Sequence, residues 1–84
     1  MDSLIKEKYK RLPLALQHKV VEEKGNYITR RRHNTMNVEL FQLRNFYVEV
    51  GRSMATNQIF WIACRDNEYV YDKYLQHIKL EELF

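Results

Sequence analysis

The sequence predicts an α+β domain: an antiparallel β-meander of about four strands, with a split N-terminal helix and a short C-terminal helix. Three observations carry this expectation. Apolar residues recur at helical spacing before Gly25, extended runs rich in β-branched and aromatic residues follow as far as Cys64, and helical spacing returns from Tyr71.

The first helix is marked by Ile5, Tyr9 and Leu12 at i, i+4 and i+7. It is expected to stop near Arg11, because Pro13 restricts Leu12 away from helical dihedrals. A second helix starts at Pro13, where a missing backbone donor is harmless, and Leu16 and Val20 continue the apolar stripe, widened by Leu14 and Val21. It is expected to end at Lys24, with Gly25 taking a left-handed turn. A single helix kinked at Pro13 is the alternative.

Tyr27 to Arg32 then reads as a strand and His33-Asn34-Thr35 as a turn. Val38 to Leu43 forms the next strand. If Arg44-Asn45 is a two-residue turn, Leu43 faces Phe46, Phe41 faces Val48 and Glu39 faces Val50. With Ser53 to Asn57 as the following loop, Val50 would face Phe60, Val48 Ile62 and Phe46 Cys64. One apolar face thus runs across three strands. The other face carries Val38, Leu40, Tyr47, Ile59, Trp61 and Ala63, so helices are expected on both sides of the sheet. After a polar linker at Arg65-Asp66-Asn67, the helical spacing of Tyr71, Tyr74, Leu75 and Ile78 gives the last helix, and Leu80, Leu83 and Phe84 suggest a docked terminus.

Residues 1–84 make one compact domain of the size that buries about 60–65% of its unfolded surface. The 45% hydrophobic content with two Gly and one Pro argues against disorder. No apolar run is long enough to span a membrane, and the opening residues lack a signal-peptide plan, so a cytoplasmic location is expected. Cys64 is the only cysteine, which excludes an internal disulfide. The net charge of +3 is uneven: nine Lys or Arg stand against four acids in residues 1–34, and five against seven in the remainder. A polyanion on the basic side and a second copy of the chain both fit that asymmetry.

Two candidate sites follow. Arg30, Arg31, Arg32 and His33 place cations on both faces of a strand, a pattern suited to gripping a phosphate backbone and equally to protecting a sheet edge. The second is the far sheet face, where Leu40, Tyr47, Ile59 and Trp61 form a candidate partner surface or base-stacking platform, unless the chain's own elements or a second copy cover it. For catalysis the inventory is poor. His18, His33 and His77 fall on separate elements, at no ligand spacing from one another or from Cys64. Neither Glu22-Glu23 nor Glu81-Glu82 forms a dyad, and Gly25 and Gly51 stand alone, without a phosphate loop. A ribonuclease using His33 as base would rest on adjacency to the arginines alone.

Leu12-Pro13-Leu14-Ala15-Leu16-Gln17-His18-Lys19-Val20 resembles the L-P-x-x-L-Q-x-x-V helix opening of small bacterial antitoxin-like proteins. Those proteins continue into a second apolar helical turn, where this chain has Glu22-Glu23-Lys24-Gly25. Together with Val38-Glu39-Leu40, Phe46-Tyr47-Val48-Glu49-Val50 and Tyr74 to Leu80, the segment resembles small uncharacterised bacterial α+β proteins. That resemblance implies a self-contained domain and supplies no site residues.

The expected function is a non-enzymatic protein-interaction module, with a protein partner or a second copy of itself and without metal, cofactor or membrane. The alternative is a nucleic-acid-binding domain, including a toxin-antitoxin-like regulator, working through Arg30 to Arg32.

Overall fold

The computed structural model describes residues 2–74. In chain order these form α1 (Asp2–Lys10), α2 (Leu14–Lys24), β1 (Asn26–His33), β2 (Met36–Leu43), β3 (Phe46–Ser53), β4 (Ile59–Arg65) and α3 (Asn67–Tyr74). The strands make one antiparallel sheet in the order β1-β2-β3-β4, the expected meander. Leu75, Ile78, Leu80, Leu83 and Phe84 lie outside the described residues.

At Pro13 the chain breaks rather than bends, because Pro13 stands at the N-cap of α2 with ψ 155°, outside the helical region. A reciprocal clasp holds the break closed. The Tyr9 hydroxyl donates to the Gln17 carbonyl at 2.8 Å, and the Gln17 side-chain amide donates to the Tyr9 carbonyl at 2.9 Å. Both residues are buried, so each polar group needs the partner it finds. The buried side of α2 is therefore Gln17 and Val21, while Leu14 and Leu16, expected in the apolar stripe, are exposed. Gly25 also departs from expectation: its backbone is extended, at φ −80° and ψ 151°. Its small size matters instead, since a Cβ there would lie 2.6 Å from the Val21 carbonyl oxygen.

Between β2 and β3 the register is the expected one, from Leu43 facing Phe46 to Glu39 facing Val50. The tight turn at Arg44-Asn45 puts Arg44 at φ 59°, a conformation that costs a non-glycine residue roughly 1–2 kcal/mol. Between β3 and β4 the register differs by two residues from the expectation, with Val50 facing Ile62 and Val48 facing Cys64. A shift of two preserves the faces. A β-bulge does not: Gly51 faces Trp61 while Arg52 faces Ile59, leaving Phe60 as the extra residue. Phe60 is consequently exposed, and Ile59 turns to the opposite face, against the core. A second bulge in β1 leaves Ile28 unpaired between Tyr27, which faces Phe41, and Thr29, which faces Leu40.

The two faces are covered differently. Tyr9 and Val21 pack on Leu43, Phe46, Val48 and Val50, forming an apolar core between the helix pair and the sheet. Each fully buried apolar side chain in such a core contributes roughly 1.5–3 kcal/mol. On the other face α3 lies against β3, its first turn capped by Asp66, whose side chain accepts from the Tyr69 backbone N–H at 2.9 Å. Among the described residues no helix is long and apolar enough to cross a membrane.

Candidate functional site

Strand alternation separates the three arginines. Arg31 faces Val38 and points to the α3 side of the sheet, where the chain buries a carboxylate: Glu49 is 0% exposed. Arg31 Nη2 lies 3.4 Å from Glu49 Oε2 and also donates to the Tyr69 hydroxyl at 3.2 Å. Arg65 Nε donates to Glu49 Oε1 at 2.9 Å, and the Tyr74 hydroxyl donates to Oε2 at 2.5 Å. Aromatic faces complete the cluster, with the Arg65 guanidinium 4.3 Å from the Tyr69 ring centre and that of Arg31 5.7 Å from Tyr74.

Burial alone would raise the pKa of Glu49, but the hydrogen bonds from Tyr74 and Arg65, the neighbouring Tyr69 hydroxyl and the charge of Arg31 hold it below the usual carboxylate range. Tyr74 is pushed well above the ordinary phenol value by burial and by its bond to that carboxylate. A general acid or base needs a pKa brought toward the operating pH, and here both groups move away from neutrality. The cluster therefore ties β1, β3, β4 and α3 together, and Arg31, expected to share in a phosphate grip, is committed to it. Arg31 Nε is the one buried side-chain nitrogen or oxygen among the described residues without a hydrogen-bond partner.

The expected partner surface does not assemble. Leu40 is 1% exposed, Ile59 has crossed to the core face at the bulge, and Tyr47 and Trp61 are partly buried. Trp61 lies over Gly51, where a Cβ would come within 2.4 Å of the indole ring. The far face is built around a polar centre that the apolar count overlooked. Its signal was one acid, Glu49, on a strand of otherwise apolar alternation.

Arg30 and Arg32 point the other way, toward the side of the sheet that carries α1 and α2. Arg30 faces Glu39 across the strand pair, yet Glu39 Oε1 accepts from Arg52 Nε at 2.8 Å. Arg52 also reaches His18 Nε2 at 3.0 Å, and that nitrogen lies 2.8 Å from Glu22 Oε1. The carboxylate opposite Arg30 is thus already paired with Arg52. Both Arg30 and Arg32 are exposed, and neither makes an ion pair among the described residues. Together with Arg31 and with Asn37, which faces Arg32, they line a notch of about 270 Å³. His33 has the phase of Arg31 and stands at the strand end, opposite Met36. Asn37 was not singled out from sequence; its position two residues before Glu39 is the feature that places it beside the arginines.

A larger apolar cleft of about 510 Å³ lies between the helices and the β2–β3 turn, floored by Ile5, Leu12, Val20 and Leu43 and edged by Lys8, Lys24 and Arg44. Among the described residues no group of three or more His, Cys, Asp or Glu side chains is placed to hold a metal ion. No protein-family model matches the chain, and comparison with curated proteins and with solved structures finds no match.

Proposed function

We propose that this chain is a non-enzymatic nucleic-acid-binding domain that holds a phosphate backbone through Arg30 and Arg32 on its β1 edge. The observation that carries the reading is the pair of exposed arginines on one face of an edge strand, with Glu39, the carboxylate opposite Arg30, held by Arg52. Arginine offers planar, bidentate donors that match phosphate oxygens, and the Asn37 amide supplies further donors in the same notch. Edge protection alone would need charge on β1 but would not require Glu39 to be drawn away by a second arginine.

The test is fluorescence anisotropy of labelled oligonucleotides across a salt series. Binding is expected to weaken steeply with salt, and Arg30→Ala or Arg32→Ala each to reduce the log–log slope by about 0.7–0.9. Arg44→Ala, at the opposite end of β2, is expected to leave the slope unchanged. Absence of binding at low salt, or slopes indifferent to Arg30 and Arg32, refutes the proposal.

A further inference from the structure

Resting on the nucleic-acid reading above, we infer that the β1 edge takes single-stranded nucleic acid and that Tyr27 stacks on one of its unpaired bases. The β1 bulge sets the phase of Tyr27. In a regular strand Tyr27 would share the phase of Thr29 and Arg31 and point to the α3 face. Because Ile28 is the extra residue, the phase reverses before Thr29. Tyr27, Arg30 and Arg32 consequently occupy successive positions on one face, opposite Phe41, Glu39 and Asn37 of β2.

Those β2 residues are each two apart, so the three β1 side chains are spaced by roughly 6.6–6.8 Å. The line from aromatic ring to second arginine thus advances in steps comparable with successive nucleotides of an extended single strand. Tyr27 is 54% exposed, yet its ring is fixed by an edge contact with Phe41, at 5.6 Å between centroids and 76° between planes. An exposed ring held in place beside two cations is the combination that sequence-tolerant single-strand binders use. In a duplex the base faces are covered by their neighbours, and such a ring has nothing to stack on.

The Glu49 cluster supports the same strip from behind. Arg31, between Arg30 and Arg32, is tied to Glu49 of β3 and to Tyr69 of α3, which anchors the middle of an otherwise exposed edge strand. Its two neighbours are thereby presented on a fixed backbone, and less ordering is left to be done on binding. Arg31 also lines the notch, but its guanidinium is held by Glu49 and Tyr69, and it is a positioning residue in this scheme.

The experiment compares a labelled oligo(dT) with a duplex of equal length, and with an abasic deoxyribose-phosphate strand, on the full chain. The single strand is expected to bind at least about tenfold more tightly than the duplex or the abasic strand. Tyr27→Ala is expected to weaken single-strand binding by roughly 5- to 150-fold with the salt slope unchanged, and Tyr27→Phe to restore it. Tyr27→Leu keeps an apolar contact for Phe41 without an aromatic face, and it is expected to behave as Tyr27→Ala while retaining the parent circular dichroism spectrum. Equal affinity for duplex or abasic strand, or full affinity in Tyr27→Leu, overturns the inference. The Arg30 and Arg32 slopes would still report separately on phosphate binding. Failure of every oligonucleotide to bind overturns both.

Discussion

Replacing Glu49 with Gln is expected to destabilise the domain by about 3 kcal/mol, chiefly by leaving two cations short of an acceptor. The carboxylate has no exposed surface and is contacted at 2.5 Å by Tyr74, 2.9 Å by Arg65 and 3.4 Å by Arg31. Hydrogen bonds to a charged group contribute roughly 1.5–3 kcal/mol each, and removing one partner of a buried ion pair costs roughly 3–5 kcal/mol. Two features hold the figure at the lower end. The amide oxygen of Gln still accepts one hydrogen bond, and the Arg31 and Arg65 side chains keep 19% and 32% of their exposure, so water screens part of their charge. With roughly 4–8 °C of midpoint per kcal/mol for a domain of this size, the thermal midpoint should fall by roughly 12–24 °C.

The pH dependence gives a sharper check. The folded pKa of Glu49 lies below its unfolded value, so its contribution is complete above the ordinary carboxylate value of about 4.3 and is lost as the pH falls below it. Urea unfolding of parent and Glu49→Gln should therefore show the widest gap at neutral pH, narrowing on acidification. A gap independent of pH, or a variant as stable as the parent at neutral pH, would refute the idea that this charge holds Arg31 and Arg65.

Gly51→Ala should cost roughly 1–3 kcal/mol, because the indole of Trp61 occupies the space of the new methyl group. In a double-mutant cycle read by urea midpoints, Trp61→Leu should relieve most of that cost, and strictly additive effects would contradict the packing argument. The Cys64 thiol is pushed up by burial, against the lowering effect of Lys6 and Lys10. A thiol-exchange reagent at about pH 8 should react at least about tenfold more slowly with the native chain than with the urea-unfolded chain.

The expected α+β meander and the β2–β3 register were legible because both rest on local signals: alternation from Val38 to Val50, and a two-residue turn at Arg44-Asn45. The bulges at Ile28 and Phe60 carried no such mark. Phe60, apolar and in phase with Val48 and Val50 under the expected pairing, reads as core, and only the β3–β4 pairing shows Ile59 taking its place. Gly25 likewise reads as a turn residue, whereas its use here is to admit a carbonyl, and Gly51 admits an indole ring that no local signal announces. Within the candidate site, strand alternation alone requires consecutive arginines to point to alternate faces. Which of them stay free was decided only by the fold. Arg31 is taken by Glu49, 18 residues away, and Glu39 is taken by Arg52, 13 residues away. Electrostatic pairing follows distance in space, and no periodicity along the chain encodes which distant charges the sheet register will bring together.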